Sequence, residues 1–600
     1  MRRQELPLRA SRAALIEAAQ GARPADLFIR NAKIVNVYSG ELLDGNIAVV
    51  QDRIAYVGPK DLAGGGETQI IDAQGQFVAP GFIEPHAHPW VLYNPVSLTQ
   101  KVLPLGTTTI VNDSLFFYLH FGPRGARRMV EDLRELPGLH LWLARIVSQA
   151  EYDGERDDFG TREIGALLEM WDVIGTAELT RWPMLLEADP FALAAIEEAK
   201  RRGKISDGHT AGASYDRLNA IVAAGISACH EAITVQEVLD RLRLGMWTAL
   251  RHSSLRPDLP EIVKAVTERH VSTGRLLLTT DGPHPAFVDE EGFVDGLLRI
   301  AVRAGVPPIQ ALQLVTLNPA TYLGLDEVLG GIAPGRRADL LLLPDLETFR
   351  PSLFIAAGDV VAAHGKVLAR TPAIDWSTYP RKMPITVHAR SACDPGLFLY
   401  RASPDESGSA QVPVMRFDLA VITSRQDHRL AVRDGAVDIS DAPGLVYAAL
   451  LDRAGRWISH AIVDRLMGGV EGFASTYNTT TQILAVGRDP KSIAAAVERV
   501  VSLGVGIVLL EQGKPVLEIP LPLAGLMTES PSFETALRHQ QALLDAARQR
   551  GYPFHDILYS LLFLTCDFLP GLRLTSLGLI DVKSRAVLHA AVRPVLLGFS

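Results

Sequence analysis

Cysteine is scarce in this sequence, with Cys229, Cys393 and Cys566 the only three among 600 residues. Odd in number and far apart, they make neither a disulfide framework nor a zinc ribbon. An excess of basic charge is also missing. The formal net charge of −9 gives no footprint for nucleic acid and no polybasic patch for a membrane. No apolar run approaches the ~20 residues that cross a bilayer, and the best, around Leu558–Leu564, is far shorter. Arg2, Arg3, Glu5, Arg9, Arg12 and Glu17 interrupt the N-terminus, which excludes a signal-peptide core. Internal repeats and low-complexity tracts are absent. These absences predict a soluble cytoplasmic protein without nucleic-acid or membrane partners.

The chain is long enough for two or three hydrophobic cores, and its 48% hydrophobic and 21% charged residues are ordinary for globular proteins. Residues 11–20 read as a short helix closed by Gly21, giving an N-terminal segment 1–25. Short β-branched strands follow, broken by Gly, Asp and Asn. From Gly81 to Leu325 apolar runs alternate with helical stretches: Thr107–Val111, Leu139–Ala144, Met184–Glu187, Lys204–Asp207, Ile226–His230, Trp247–Arg251 and Leu276–Asp281. Strand–helix alternation on this scale predicts an α/β fold, a (β/α)8 TIM-like barrel over 81–325. Strand texture returns at 326–372 and is expected to join 26–80 in a small β-sandwich-like unit. Residues 375–600 form a separate C-terminal α/β domain.

One stretch organises the rest. Pro80-Gly-Phe-Ile-Glu-Pro-His-Ala-His ends in His86 and His88, which point to the same side of an extended backbone. Neutral imidazoles side by side begin a metal site. Glu187, His209, His230 and Asp281 each close or follow a predicted strand, where a barrel places its chemistry. Alone, each has a bland explanation as a solvated acid or a hydrogen-bonded core histidine. Together they make a ligand set.

The sequence at this point resembles the amidohydrolase superfamily and, within it, the bacterial adenine deaminase family. The matching residues are the His86–His88 motif, Asp207-Gly-His-Thr-Ala-Gly, Ala224-Gly-Ile-Ser-Ala-Cys-His-Glu and Thr280-Asp-Gly-Pro-His-Pro, with Leu521-Pro-Leu-Ala-Gly-Leu-Met in the C-terminal region. The resemblance implies hydrolytic deamination of a purine, adenine to hypoxanthine and ammonia, in a homo-oligomer. It implies metal ligation by His86, His88, Glu187, His209, His230 and Asp281, with Glu187 bridging a binuclear centre. The family metal is manganese or iron, whereas imidazole and carboxylate types by themselves fit Mn2+, Fe2+ or Zn2+. Asp281 is the expected proton shuttle and Glu231 a second catalytic candidate, while His284, Trp90 and Asp113 are expected to meet the substrate.

Several pocket positions depart from the family pattern. His-x-His-Ile-Glu has become His86-Ala-His88-Pro89-Trp90, and Asp-Pro-His-Glu has become Asp113-Ser-Leu-Phe116. Asp-Asp-Arg-His-Pro reads Asp281-Gly-Pro-His-Pro285, and His-Asp-Ser-His-Asn reads Asn478-Thr-Thr-Thr-Gln482. Groups that hydrogen-bond a substrate discriminate strongly. These changes therefore leave open a second expectation, hydrolysis of another cyclic amidine or amide. A third is a relative that binds a ligand without catalysis.

Overall fold

The computed structural model describes residues 6–7, 9–62, 64, 66–387, 394–403 and 408–593. Cys393, the N-terminal Arg2, Arg3 and Glu5, and the end of the expected C-terminal domain lie outside them. Eight strands form the central barrel: β1 (Phe82–Ala87), β2 (Thr107–Asp113), β3 (Leu139–Ala144), β4 (Val173–Leu179), β5 (Ile205–Gly208), β6 (Ala228–Cys229), β7 (Trp247–Arg251) and β8 (Leu276–Thr279). Five pair in the order β5-β4-β3-β2-β1 and three in the order β6-β7-β8, all parallel. The two runs meet at both edges. Ser227 N–H donates to Ser206 O at 2.9 Å, and His88 N–H donates to Asp281 O at 3.1 Å.

β2, β3 and β4 are buried at every residue. Burial on both faces is the reason apolar residues and threonine run through them without strict alternation, the charged Asp113 and Glu178 falling at the C-terminal ends. Helices wrap the outside and start at side-chain caps: Asp189 for Pro190–Arg201, Ser214 for Tyr215–Ala224 and Thr234 for Val235–Arg243. Each cap oxygen accepts backbone N–H groups that the first turn leaves unpaired.

One element departs from expectation. Met184–Glu187 is no strand, because Pro183 opens a one-turn helix, Pro183–Leu186, with Glu187 at its C-cap. Proline presets the first helical turn and lacks the N–H a ladder would need. The fourth barrel strand lies earlier, at Val173–Leu179.

Strands before and after the barrel are hydrogen-bonded into one nine-stranded sheet, in which Leu340–Leu343 runs antiparallel to Phe77–Pro80. Beyond it, a second nine-stranded sheet carries the helices Pro490–Leu503 and Phe533–Gln549. This C-terminal region lies over the C-terminal ends of the barrel strands. Thr528 N–H donates to Leu92 O at 2.8 Å, Asn94 Nδ2 donates to Thr528 O at 2.8 Å, and Ala286 N–H donates to Gln540 Oε1 at 2.7 Å. No helix among the described residues is long and apolar enough to cross a membrane.

Candidate metal centre

Each barrel strand delivers a polar side chain at or just past its C-terminal end. His86 and His88 come from β1, Asp113 from β2, Arg145 from β3, Glu178 from β4 and Asp207 with His209 from β5. His230 and Glu231 follow β6, Arg251 closes β7, and Asp281 follows β8. His86, His88 and Glu178 converge within metal-binding range, as do His86, His230 and Asp281, and Glu178, His209 and His230.

The imidazoles are oriented by carboxylates behind them. His86 Nδ1 lies 2.7 Å from Asp207 Oδ2, and His88 Nδ1 lies 3.1 Å from Asp113 Oδ2. A proton on each Nδ1 leaves the Nε2 lone pairs facing inward, where they come within 3.3 Å of each other. Two lone pairs aimed at one point repel unless a cation lies between them. His209 Nε2, His230 Nε2 and Asp281 Oδ1 are also buried without a hydrogen-bond partner. Buried polar atoms are normally paired, so the orphaned set fits a metal.

Glu178 is the shared carboxylate. Its Oε2 lies 2.9 Å from His209 Nδ1 and 3.3 Å from His230 Nε2, while Oε1 lies 3.6 Å from His88 Nε2. Arg145 Nη2 donates to Oε1 at 2.5 Å. Burial pushes the Glu178 carboxyl up, but Arg145 and His209 outweigh it and hold the group well below the ordinary carboxylate range.

The expected bridging residue, Glu187, is not part of the cluster. Its side chain is 61% exposed and pairs with Arg585 at 3.1 Å on the surface. The acidic residue closing a buried β-branched run, Val173-Ile-Gly-Thr-Ala-Glu178, carried the signal that Glu187 only imitated.

Asp113 is likewise displaced from its expected place against the substrate. It is 1% exposed, with Arg145, His88 and the Leu115 N–H on its oxygens, so it stands behind His88. Burial raises its pKa, yet Arg145 and His88 bring it down to about 2. Trp90 is buried and tilts against His88 with ring centroids 4.7 Å apart, its far edge against Phe116. The Trp90 indole N–H is buried and unpaired. His284 caps the helix Pro285–Glu290, accepting the Phe287 N–H at 3.0 Å, and its Nε2 lies 4.0 Å from Asp556 Oδ2.

Glu231 is buried between two cations, bonded to Arg251 and, at 3.2 Å, to Arg256. Burial opposes its ionisation, but Arg251 and His209 dominate and keep it deprotonated far below the usual range. Arg251 Nη1 also donates to Asp281 Oδ2 at 3.0 Å. Glu84, unsuspected in the sequence, accepts from His86 N–H, Thr279 Oγ1, Thr280 N–H and Thr280 Oγ1, tying β1 to β8 beneath the cluster. Phe568, from the C-terminal region, rests edge-on against His209 at 5.5 Å between centroids.

Residues 77–365 match the model of the amidohydrolase family, and residues 420–586 match that of the adenine deaminase C-terminal domain. The adenine deaminase of Moorella thermoacetica is 34% identical over 94% of this chain and 96% of its own length. That of Cenarchaeum symbiosum is 31% identical, over 97% and 95% respectively. Among solved structures, the β-aspartyl dipeptidase of Fervidobacterium islandicum AW-1 covers 58% of this chain and 99% of its own, at 17% identity and a TM-score of 0.46. From one end of the described structure to the other, the chain belongs to the adenine deaminase family of metal-dependent amidohydrolases.

Proposed function

We propose that this protein is a metal-dependent adenine deaminase, converting adenine and water to hypoxanthine and ammonia. One observation carries the reading: relatives named adenine deaminase match over nearly the whole chain, and a stretch of the C-terminal region matches the adenine deaminase C-terminal domain. His86, His88, His209, His230 and Asp281 would hold the ions, with Glu178 as the bridge of a binuclear centre. Manganese is the proposed metal, and the donor set also accepts Fe2+ or Zn2+. When bound, a divalent ion supplies water acidified from a pKa of about 15.7 toward ~7.

The remaining tasks fall on the side chains. Asp281, whose Oδ1 faces the imidazoles, receives the proton of the attacking water and hands it to the amine leaving C6 of the purine. Arg251 holds the other oxygen, Oδ2, so the shuttle keeps its direction. Asp207 fixes the tautomer of His86, and Asp113 stands 3.1 Å behind His88 Nδ1. Glu231, already satisfied by Arg251 and Arg256, positions rather than transfers protons. Trp90 and Phe116 place an apolar wall beside His88 that excludes water.

The test is ammonia release from adenine by fully manganese-loaded protein. Turnover that vanishes on chelation supports the assignment; none at full occupancy removes it. The apolar Trp90–Phe116 wall and the glycine at 282 favour one second reading, another cyclic amidine or amide as substrate. Aminopurines, pterins, pyrimidines and cyclic amides assayed in parallel separate the two.

A further inference from the structure

At the opposite, N-terminal end of the barrel strands lies a cavity of about 210 Å³. Its wall includes Arg9, Arg53, Arg134 and Arg337, with Asp52 and His140. Three of the four guanidinium groups are occupied. Arg134 grips Asp172 through bonds of 2.6 and 3.0 Å. Arg337 donates to Asp339 and to Gly138 O, both at 3.0 Å. Arg9 donates to Ala357 O at 2.7 Å.

Arg53 is different. Its side chain is 2% exposed, and Nε and Nη1 are buried without a hydrogen bond. The nearest carboxylate, Asp52, stands 3.7 Å away and already accepts the backbone N–H groups of Arg9 and Ala10. Burial, with the Arg337 cation adding to it, holds the Arg53 pKa below the ordinary guanidinium value despite Asp52. Desolvated donors with no acceptor are costly, and a forked guanidinium matches the oxygens of a tetrahedral anion.

We propose that this cavity is a binding site for a small phosphate-type oxyanion, received by Arg53 and flanked by Arg9, Arg134 and Arg337. At about 210 Å³ it is smaller than the ~300–1,000 Å³ typical of drug-sized ligands. It suits a free phosphate or a small phosphate ester. The bound anion joins the segment around Arg9, the strand Arg53–Gly58 and the barrel, so its role is to lock the N-terminal region onto the barrel floor, independently of the metal centre.

Calorimetric titration of the full-length, manganese-loaded protein with inorganic phosphate tests this, with chloride held constant. One saturable site per chain is expected. Arg53→Met should weaken it roughly tenfold or more, and Arg9→Met roughly threefold, with adenine turnover unchanged in both. The exposed Arg9 side chain makes the second variant decisive should the first fail to fold. No saturable binding, unchanged affinity in the variants, or binding that survives Arg53→Met and disappears on chelation would overturn the proposal. Titration with glycerol 3-phosphate separates the sources: a gain over phosphate assigns an ester, a loss the free ion.

Discussion

Asp281 holds a left-handed backbone conformation, φ 61°, that only glycine, asparagine and aspartate adopt with any ease. Contacts on both sides hold it there: Asp281 O accepts the His88 N–H, and its carboxylate meets His88 at 2.9 Å and Arg251 at 3.0 Å. A carboxylate fixed in this way is pre-organised for the proton transfer proposed for it. Asp281→Asn should therefore lower kcat by roughly 10²–10⁴-fold while leaving circular dichroism unchanged; a kcat within a factor of two would refute the shuttle. Asp207 acts one step further out, on the tautomer of His86. Asp207→Asn should weaken metal affinity by roughly 10–100-fold, measured by competition with a chelator. An unaltered affinity would mean that His86 needs no such partner.

Among the elements, the loop after β8 shows what holds glycine at position 282. A Cβ on Gly282 would stand 2.7 Å from Tyr559 Oη and 3.0 Å from His88 Cβ. The C-terminal helix Ile557–Phe563 presses Tyr559 onto that loop, and its hydroxyl donates to Gly282 O. An acidic side chain at 282 is incompatible with this contact. Gly282→Ala should accordingly depress both kcat and metal occupancy, and adding Tyr559→Phe should restore part of each by removing the nearest obstructing atom. If the double variant is no better than the single one, the contact is not what requires glycine.

The same elements show what could be read in advance. His86, His88, His209, His230 and Asp281 were legible because each ends or follows a compact apolar run. Glu178 was masked by Met184–Glu187, another apolar run ending in glutamate, and periodicity cannot tell one helical turn from one short strand. Pro183 was the clue. The pairings of Asp207 with His86 and of Arg145 with Glu178 join different strands, and nothing local in the sequence specifies them. Asp113 was placed correctly at a strand end, but which way its carboxylate faces depends on Arg145.

For the whole molecule, three buried histidines weaken the fold in acid. Burial is the main reason that His140 and His460 are lowered to about 4 and His120 to about 3, with the Arg453 cation adding to it at His120. The unfolded chain takes up these protons near 6.5, whereas the folded one resists until the pH is far lower. Their contribution is thus complete above the unfolded pKa and is lost as pH falls from there toward 4. The urea midpoint of chelated protein should drop between pH 7 and pH 4.5, and a flat profile would contradict it.

The proposed binuclear centre draws on all sides of the barrel, with Glu178 rather than Glu187 in the cluster. Metal analysis of the wild type, Glu178→Ala and Glu187→Ala after growth in manganese-replete medium reads this directly. Two equivalents per chain in the wild type and in Glu187→Ala, with one or none in Glu178→Ala, is the predicted result. Two equivalents retained by Glu178→Ala, or metal lost on replacing Glu187, would contradict it.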